Sequence, residues 1–418
     1  MKNTLRLSAL AALVSLLLAP LAGALQVSQA EPSSPTDAPL EDFRGDLLDL
    51  AADASRTISV DPHVKTRARA MENVAIACLE LEQPSRALRL IQDSPNWRIG
   101  VGYGDLARYC AEHGEEELAQ EYLGLAVGVA EWPADKFGQS WRKDRVLVSI
   151  SRARLALGEE AAARAAEAGV ENEAETGKVD AERAKVASDE GYEELLAASR
   201  RAFESQNFDL SRNALAVCIQ LFESHYRDEE RRAEIEALVK ESWSKLPVTI
   251  RIDVLLELVR VALEAGDVVK ASEVIEEARG VLDATGLNAE YRVPLLARIA
   301  AFRYRAGDAR EARREAGAAL ALYNEGRTEI VNVSRAACLR PLAEAYQKMG
   351  ASEEAASVYR LAIHEGFENT NVRPRAEDLL ATCCSMARTG FQPDPSLWEF
   401  MRHIQADNFE RKDERIYR

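Results

Sequence analysis

The stretch Cys338–Ile363, CLRPLAEAYQKMGASEEAASVYRLAI, carries two amphipathic segments on either side of Gly350. Before the glycine, Leu339, Leu342, Ala343 and Tyr346 fall at helical spacing and form one apolar stripe. Glycine tolerates the left-handed backbone that often ends a helix. Beyond it, Ser352, Glu353 and Glu354 suit a first helical turn, where unpaired N–H groups favour oxygen and negative charge. Ala355, Tyr359 and Ala362 share one face of the second segment. The stretch therefore predicts an antiparallel helical hairpin that crosses closely at Ala343 and Ala355. A larger side chain at either position overpacks the crossing, at a cost of roughly 1–3 kcal/mol.

The same offsets recur along the chain. Turn anchors can be set at Glu82, Gly114, Gly158, Gln206, Gly266, Gly307 and Gly350. Five residues after them stand Ala87, Ala119, Ala163, Ser211, Ala271, Ala312 and Ala355, all small. Twelve after them stand Ser94, Ala126, Val170, Cys218, Ala278, Ala319 and Ala362. Seven before them stand Ala75, Ala107, Ser151, Ser199, Val259, Ala300 and Ala343. Eleven before them the residues are Met71, Tyr103, Leu147, Leu195, Leu255, Leu296 and Leu339, all apolar. Agreement of four columns over seven units marks an internal repeat.

The pattern resembles the tetratricopeptide repeat, with a small residue in the first helix, glycine at the turn and two alanines in the second helix. The resemblance spans about residues 66–365. It departs from that family in the missing closing proline, in the aromatic before the turn, which survives only as Tyr346, and in anchor spacings of 32, 44, 48, 60, 41 and 43 residues against a family period of about 34. It implies an all-α fold, an α-solenoid of TPR-like antiparallel helical hairpins. It further implies a concave groove lined by the first helices.

Composition agrees with this class. Of 418 residues, 47% are hydrophobic and 29% charged, and Gly and Pro are few. Residues 1–30 read as a signal peptide: Lys2 and Arg6 precede the apolar run Leu10–Leu21, and small residues follow. That reading places the mature protein outside the cytoplasm, in the periplasm or cell envelope, with no stable membrane insertion. Removal takes away two positive charges, so the balance moves from −16 to 51 − 69 = −18. Such an acidic chain disfavours nucleic acid and anionic membrane. The six cysteines, Cys78, Cys110, Cys218, Cys338, Cys383 and Cys384, read as small buried hydrophobes. Cys78 and Cys110, at equivalent places in neighbouring repeats, are the first pair to test for a bridge.

In chain order, residues 31–45 read as a flexible linker, and 46–226 as an N-terminal repeat arm. That arm includes an Ala/Glu-rich connector at about 170–190. Residues 227–246 read as an extra amphipathic helix and linker, ended by Pro247. Residues 247–405 form a C-terminal TPR-like arm whose last helix caps the open end, and 406–418 is a charged tail.

The sequence holds no phosphate loop, no H-E-x-x-H, no G-x-S-x-G and no C-x-x-C. No metal or cofactor is expected, because the five histidines are scattered. Gly100, Gly102 and Gly104 mimic a nucleotide loop but follow no strand. One column does suggest a site: Arg108, Arg152, Arg200 and Arg260 stand six residues before four successive anchors. By the resemblance this position faces the groove, where guanidinium groups suit carboxylates. The competing reading pairs each arginine with a glutamate on the next helix. The leading functional reading is a non-enzymatic exported scaffold that binds a protein or peptide partner, with an acidic segment suited to the arginine column. The alternative is a cell-envelope enzyme or carbohydrate-binding protein using Trp132 and Trp141 of the loop 131–141.

Overall fold

The computed structural model describes residues 32–205 and 207–414. Residues 34–205 and 207–414 belong to one compact unit. Among the described residues there is no strand, and the α-helices follow in chain order. They are α1 Asp42–Thr57, α2 Val60–Glu80, α3 Pro84–Gln92, α4 Arg98–Glu112, α5 Glu116–Ala130 and α6 Ala134–Phe137. Next come α7 Ser140–Ala156, α8 Glu160–Glu167, α9 Glu173–Ala184, α10 Asp189–Glu204, α11 Phe208–Ser224, α12 Glu229–Ser242 and α13 Val248–Glu264. The last are α14 Val268–Asp283, α15 Ala289–Arg305, α16 Ala309–Gly326, α17 Asn332–Lys348, α18 Ser352–Phe367, α19 Val372–Thr389 and α20 Pro395–Glu414.

The hairpin turns are where the anchors place them. Gly114, Gly158, Gly266, Gly307 and Gly350 have φ between 68° and 99°, and Glu82 takes φ 55°. Polar caps also set helix starts: Asn172, Ser188, Asn207, Asp228, Asp267 and Asp308 each accept a backbone N–H from the first turn. The small-residue columns are buried as the pattern requires: Ala87, Ala119, Ala163, Ala271, Ala312 and Ala355 all have no exposed surface. A close crossing leaves no room for a longer side chain there.

Two layers result. The first comprises α2, α4, α7, α9, α11, α13, α15, α17 and α19, each packed on the next. The second comprises α3, α5, α8, α10, α12, α14, α16, α18 and α1. Its members meet mainly through long side chains, such as Arg231 to Asp189 at 2.5 Å, Lys240 to Glu277 at 3.2 Å and Arg279 to Glu315 at 2.7 Å. Neighbours run parallel within a layer. Arg145 faces Glu175 and, seven residues on, Arg152 faces Glu182.

The stack has no open end. The second helix of the last hairpin comes from the N-terminal side of the chain: α1 packs along α19, and α19 in turn packs on α2. The first layer thus closes on itself. Its helices touch directly all round whereas most second-layer neighbours do not, so the first layer lies on the inside of the curve.

Five expectations change. Residues 227–246 are no extra helix, because α12 takes the second-layer place between α10 and α14. Two separate arms therefore do not exist. The segment about 170–190 is α9 rather than a connector; its capped start and buried Val179 and Ala184 make it a full member of the first layer. The part of the 31–45 linker from Ser34 onward is tied down. Asp37 accepts the Ser85 N–H at 2.7 Å, Ala38 donates to the Glu82 carbonyl at 2.9 Å, and Gln83 donates back to Ala38 at 2.7 Å. Finally, α20 covers the junction of α18, α19 and α1 instead of capping a free end, and its helix runs through 406–414. The signal-peptide reading of 1–30, the Gln206 anchor and residues 415–418 lie outside the described residues.

Candidate functional site

Helical register decides which charges meet. On parallel first-layer helices, side chains at equivalent heights face one another across each interface. The result is a ladder of ion pairs: Glu72 with Arg98, Arg152 with Asp105 at 3.7 Å, Arg145 with Glu175 at 3.5 Å, Glu223 with Arg260 at 2.8 Å, Arg340 with Asp378 at 3.2 Å. The densest node is Glu182 on α9, held by Arg152 at 2.6 Å, Lys185 at 2.6 Å and Arg108 at 3.6 Å. Burial pushes its carboxyl up, but Arg152, Lys185 and Arg108 outweigh burial and hold it at about 2. Asp105 is pushed up by burial, with Arg152 and Arg108 pulling the other way.

Of the four arginines singled out by the column, Arg108 and Arg152 are brought together on Glu182. Arg260 stands elsewhere in the first layer, bonded to Glu223, Glu257 and Glu264 at 2.8, 2.9 and 2.6 Å. Arg200 is on α10, in the second layer, and pairs with Glu234 of α12 at 2.6 Å. The column is therefore not one continuous ladder. It breaks at Arg200 because α10, which carries it, belongs to the second layer. Each of the four makes at least one pair with glutamate.

Beside the Glu182 node lies a cleft of about 900 Å³. It opens because α8 has only 8 residues while α10 has 16. The short helix leaves the second layer incomplete between them. Arg152 and Glu182 form one wall, Leu195 and Ala198 of α10 the other, and Leu155 lies between. A second cleft of about 370 Å³ undercuts α10 from the α11 side and shares Leu195, Ala198 and Arg201 with the first. Arg201, exposed at the mouth, makes no side-chain pair among the described residues, in contrast to Arg183, which is bonded to Glu167 at 2.6 Å and Asp180 at 3.1 Å. The mouth also presents Val186, 86% exposed. Sequence reasoning missed Leu195 and Arg201 as site residues because their helix was taken for a first-layer one. A capped start at Ser188 was the available signal.

The aromatic loop is packed. Trp141 stands edge-on to Trp97 with ring centroids 5.6 Å apart, and its Nε1 donates to Gln139 at 2.9 Å. Trp132 is half-buried, tilted on Phe137 at 6.4 Å, with Lys136 over its face at 5.0 Å. Both tryptophans seal the approach to α7. The glycine run is also structural. A Cβ at Gly100 would meet Val129 at 2.7 Å, one at Gly102 would meet Ile91 at 2.7 Å, and one at Gly104 would strike Ser149. Among the described residues no group of His, Cys, Asp and Glu is placed to hold a metal ion, and no helix is long and apolar enough to cross a membrane. All six cysteines are free and buried.

No family model matches the chain, and no curated protein matches it. Among solved structures, one similar chain is described as a circular tandem repeat protein with novel repeat topology and enhanced subunit contact surfaces. It is 18% identical, has a TM-score of 0.22, and the match covers 89% of this chain and 96% of that one. The helices and their order define this chain's class by themselves: an all-α solenoid of helical hairpins. A scaffold of this kind fits a protein-interaction role, since stacked repeats present extended, rigid surfaces.

Proposed function

We propose that the protein is a non-enzymatic scaffold that captures a peptide segment of a partner in the cleft between α8 and α10, and that it does so after export. The observation that carries this reading is the unfilled place in the second layer. Apart from the nine-residue α3, the other second helices have 14 to 18 residues, but beside the eight-residue α8 an apolar wall at Leu195 and Ala198 stands open. The unpaired Arg201 at its mouth favours an acidic residue in the bound segment, because a guanidinium offers forked donors to a carboxylate. Arg152 supports the cleft from within through Glu182 and is committed to that pair. Export rests on the sequence of residues 1–30 alone, and the tetratricopeptide likeness on the Gly350 hairpin.

The test uses fluorescently labelled short peptides that carry an aliphatic residue beside Asp or Glu, scored by anisotropy against basic and neutral sets. Acidic–aliphatic peptides are expected to bind best. Arg201→Glu and Leu195→Arg each weaken that binding at least about tenfold, the scale of one lost charge-assisted contact. Arg200→Glu, on the α12 side of the same helix, leaves it unchanged. Equal binding by wild type, Arg201→Glu and Leu195→Arg, with melting temperatures preserved, overturns the reading.

A further inference from the structure

Closure of the repeat array joins parts of the chain more than 300 residues apart. At that seam Arg44 on α1 reaches the Ala387 carbonyl of α19, and Arg388 of α19 pairs with Glu80 of α2. Two of the six cysteines are at the same place. Cys78 on α2 is 1% exposed and Cys384 on α19 is 3% exposed. Glu80 is the last residue of α2 and Arg388 the last but one of α19, so the paired ends set the two helices parallel and in register. That register puts Cys78, two residues before Glu80, beside the turn from Cys384 to Arg388. Along this stretch α2 and α19 pack directly on one another.

We propose that Cys78 and Cys384 are a covalent modification site, a disulfide that staples the closed array once a small disulfide-bearing carrier has oxidised it. One thiolate attacks a carrier sulfur, forming a mixed disulfide and releasing one carrier thiolate. The other cysteine's thiolate then attacks that protein sulfur and releases the second carrier thiolate. One S–S bond forms and one breaks; two electrons pass to the carrier, and the two cysteine protons go to solvent or to the departing thiolates.

The chemistry also says when it happens. The thiolate is the attacking species. Burial pushes the Cys384 thiol up to about 11 although Arg388 pulls it back, and burial pushes Cys78 higher still. A closed seam therefore shields both groups, and opening it exposes them together. Oxidation converts a transient reclosure into a permanent one.

The experiment incubates the full reduced chain with oxidised glutathione at denaturant concentrations from zero to just below global unfolding, then maps cross-linked peptides by mass spectrometry. The expected product is a Cys78–Cys384 link whose yield rises with denaturant. Hydrogen exchange in α1 then slows by about tenfold or more after the denaturant is removed, because local opening has been blocked. Cys383→Ser and Cys110→Ser keep the link. Cys78→Ser and Cys384→Ser lose it and trap glutathione on the remaining partner. A dominant Cys78–Cys110 link, a link through Cys383, or mixed disulfides alone in the wild-type chain overturns the proposal.

Discussion

The Nε–H of Arg44 donates to the carbonyl of Ala387 at 2.7 Å, across 343 positions of sequence. That carbonyl sits in the last turn of α19, whose final carbonyls lack partners within the helix. Arg44 therefore caps α19 from the other end of the chain. Around it α1 buries Leu47, Leu48, Ala51 and Ala54, so α19 depends on α1 for its apolar cover. Removing residues 34–57 is expected to lower the melting temperature and expose dye-binding apolar surface. A peptide spanning 34–59, added in trans, restores both. Titrating that peptide while following dye fluorescence checks the outcome, and full stability of the truncated chain would contradict closure.

Acid should loosen the node at Glu182. Its folded value of about 2 lies below the unfolded 4.5, because Arg152, Lys185 and Arg108 outweigh burial. The folded state thus binds the proton less well than the unfolded one. The stabilisation is complete above about pH 4.5 and is lost as pH falls toward 2. A shift of this size is worth on the order of 2–3 kcal/mol. Denaturant melts at successive pH values are expected to show Glu182→Gln less stable than wild type at pH 7, with the gap narrowing steadily toward pH 2.

Six of the seven turn positions were legible because glycine, or Glu82 with positive φ, marks a left-handed backbone. The layers were legible because only small side chains fit a close helix crossing. Between Gly158 and Gly266 the reading slipped by one helix. There the turns α9–α10 and α11–α12 carry no glycine; Ser188 and Asp228 cap the following helices instead. With the wrong phase, Arg200 moved from the second layer to the first, and α12 lost its place. Closure was illegible for a different reason. The fit of α1 against α19 is a match of two apolar faces, and nothing in local periodicity says which distant face an amphipathic helix meets. The cleft followed from both gaps, since it depends on α8 being short and α10 being outside.

Gly104 marks how tightly α4 is wedged. An added methyl would strike the side chain of Ser149 and approach its backbone at 3.0 Å, within the α4–α7 contact. Backbone on a packed helix cannot retreat cheaply. Gly104→Ala is therefore expected to destabilise the fold by roughly 1–3 kcal/mol, overpacking outweighing the gain in helix propensity of about 1 kcal/mol. Gly124 and Gly128, on the open side of α5, meet nothing within 4 Å. Alanine there should stabilise slightly. Chemical denaturation of the three variants separates the two effects, and a stabilised Gly104→Ala would show that α4 and α7 are looser than drawn.

Asp378 should behave opposite to Glu182. It is buried at the junction of α17 and α19, where its Oδ1 accepts from Arg340 at 3.2 Å and its Oδ2 from Asn369 at 3.1 Å. Burial dominates and raises the carboxyl to about 6, although Arg340 and Asn369 favour the charged form and Glu377 opposes it. Here the folded state binds the proton better than the unfolded chain, whose carboxyl titrates near 3.8. The contribution is fully favourable below about pH 4 and is lost as pH rises to about 6, again on the order of 2–3 kcal/mol. Asp378→Asn keeps an acceptor for Arg340 but cannot titrate. Its stability relative to wild type should rise between about pH 4 and 6, while Glu182→Gln loses ground between about pH 2 and 4.5. Parallel melts of the two variants decide the point. If both differences ran in the same direction, burial would not be what sets Asp378 apart.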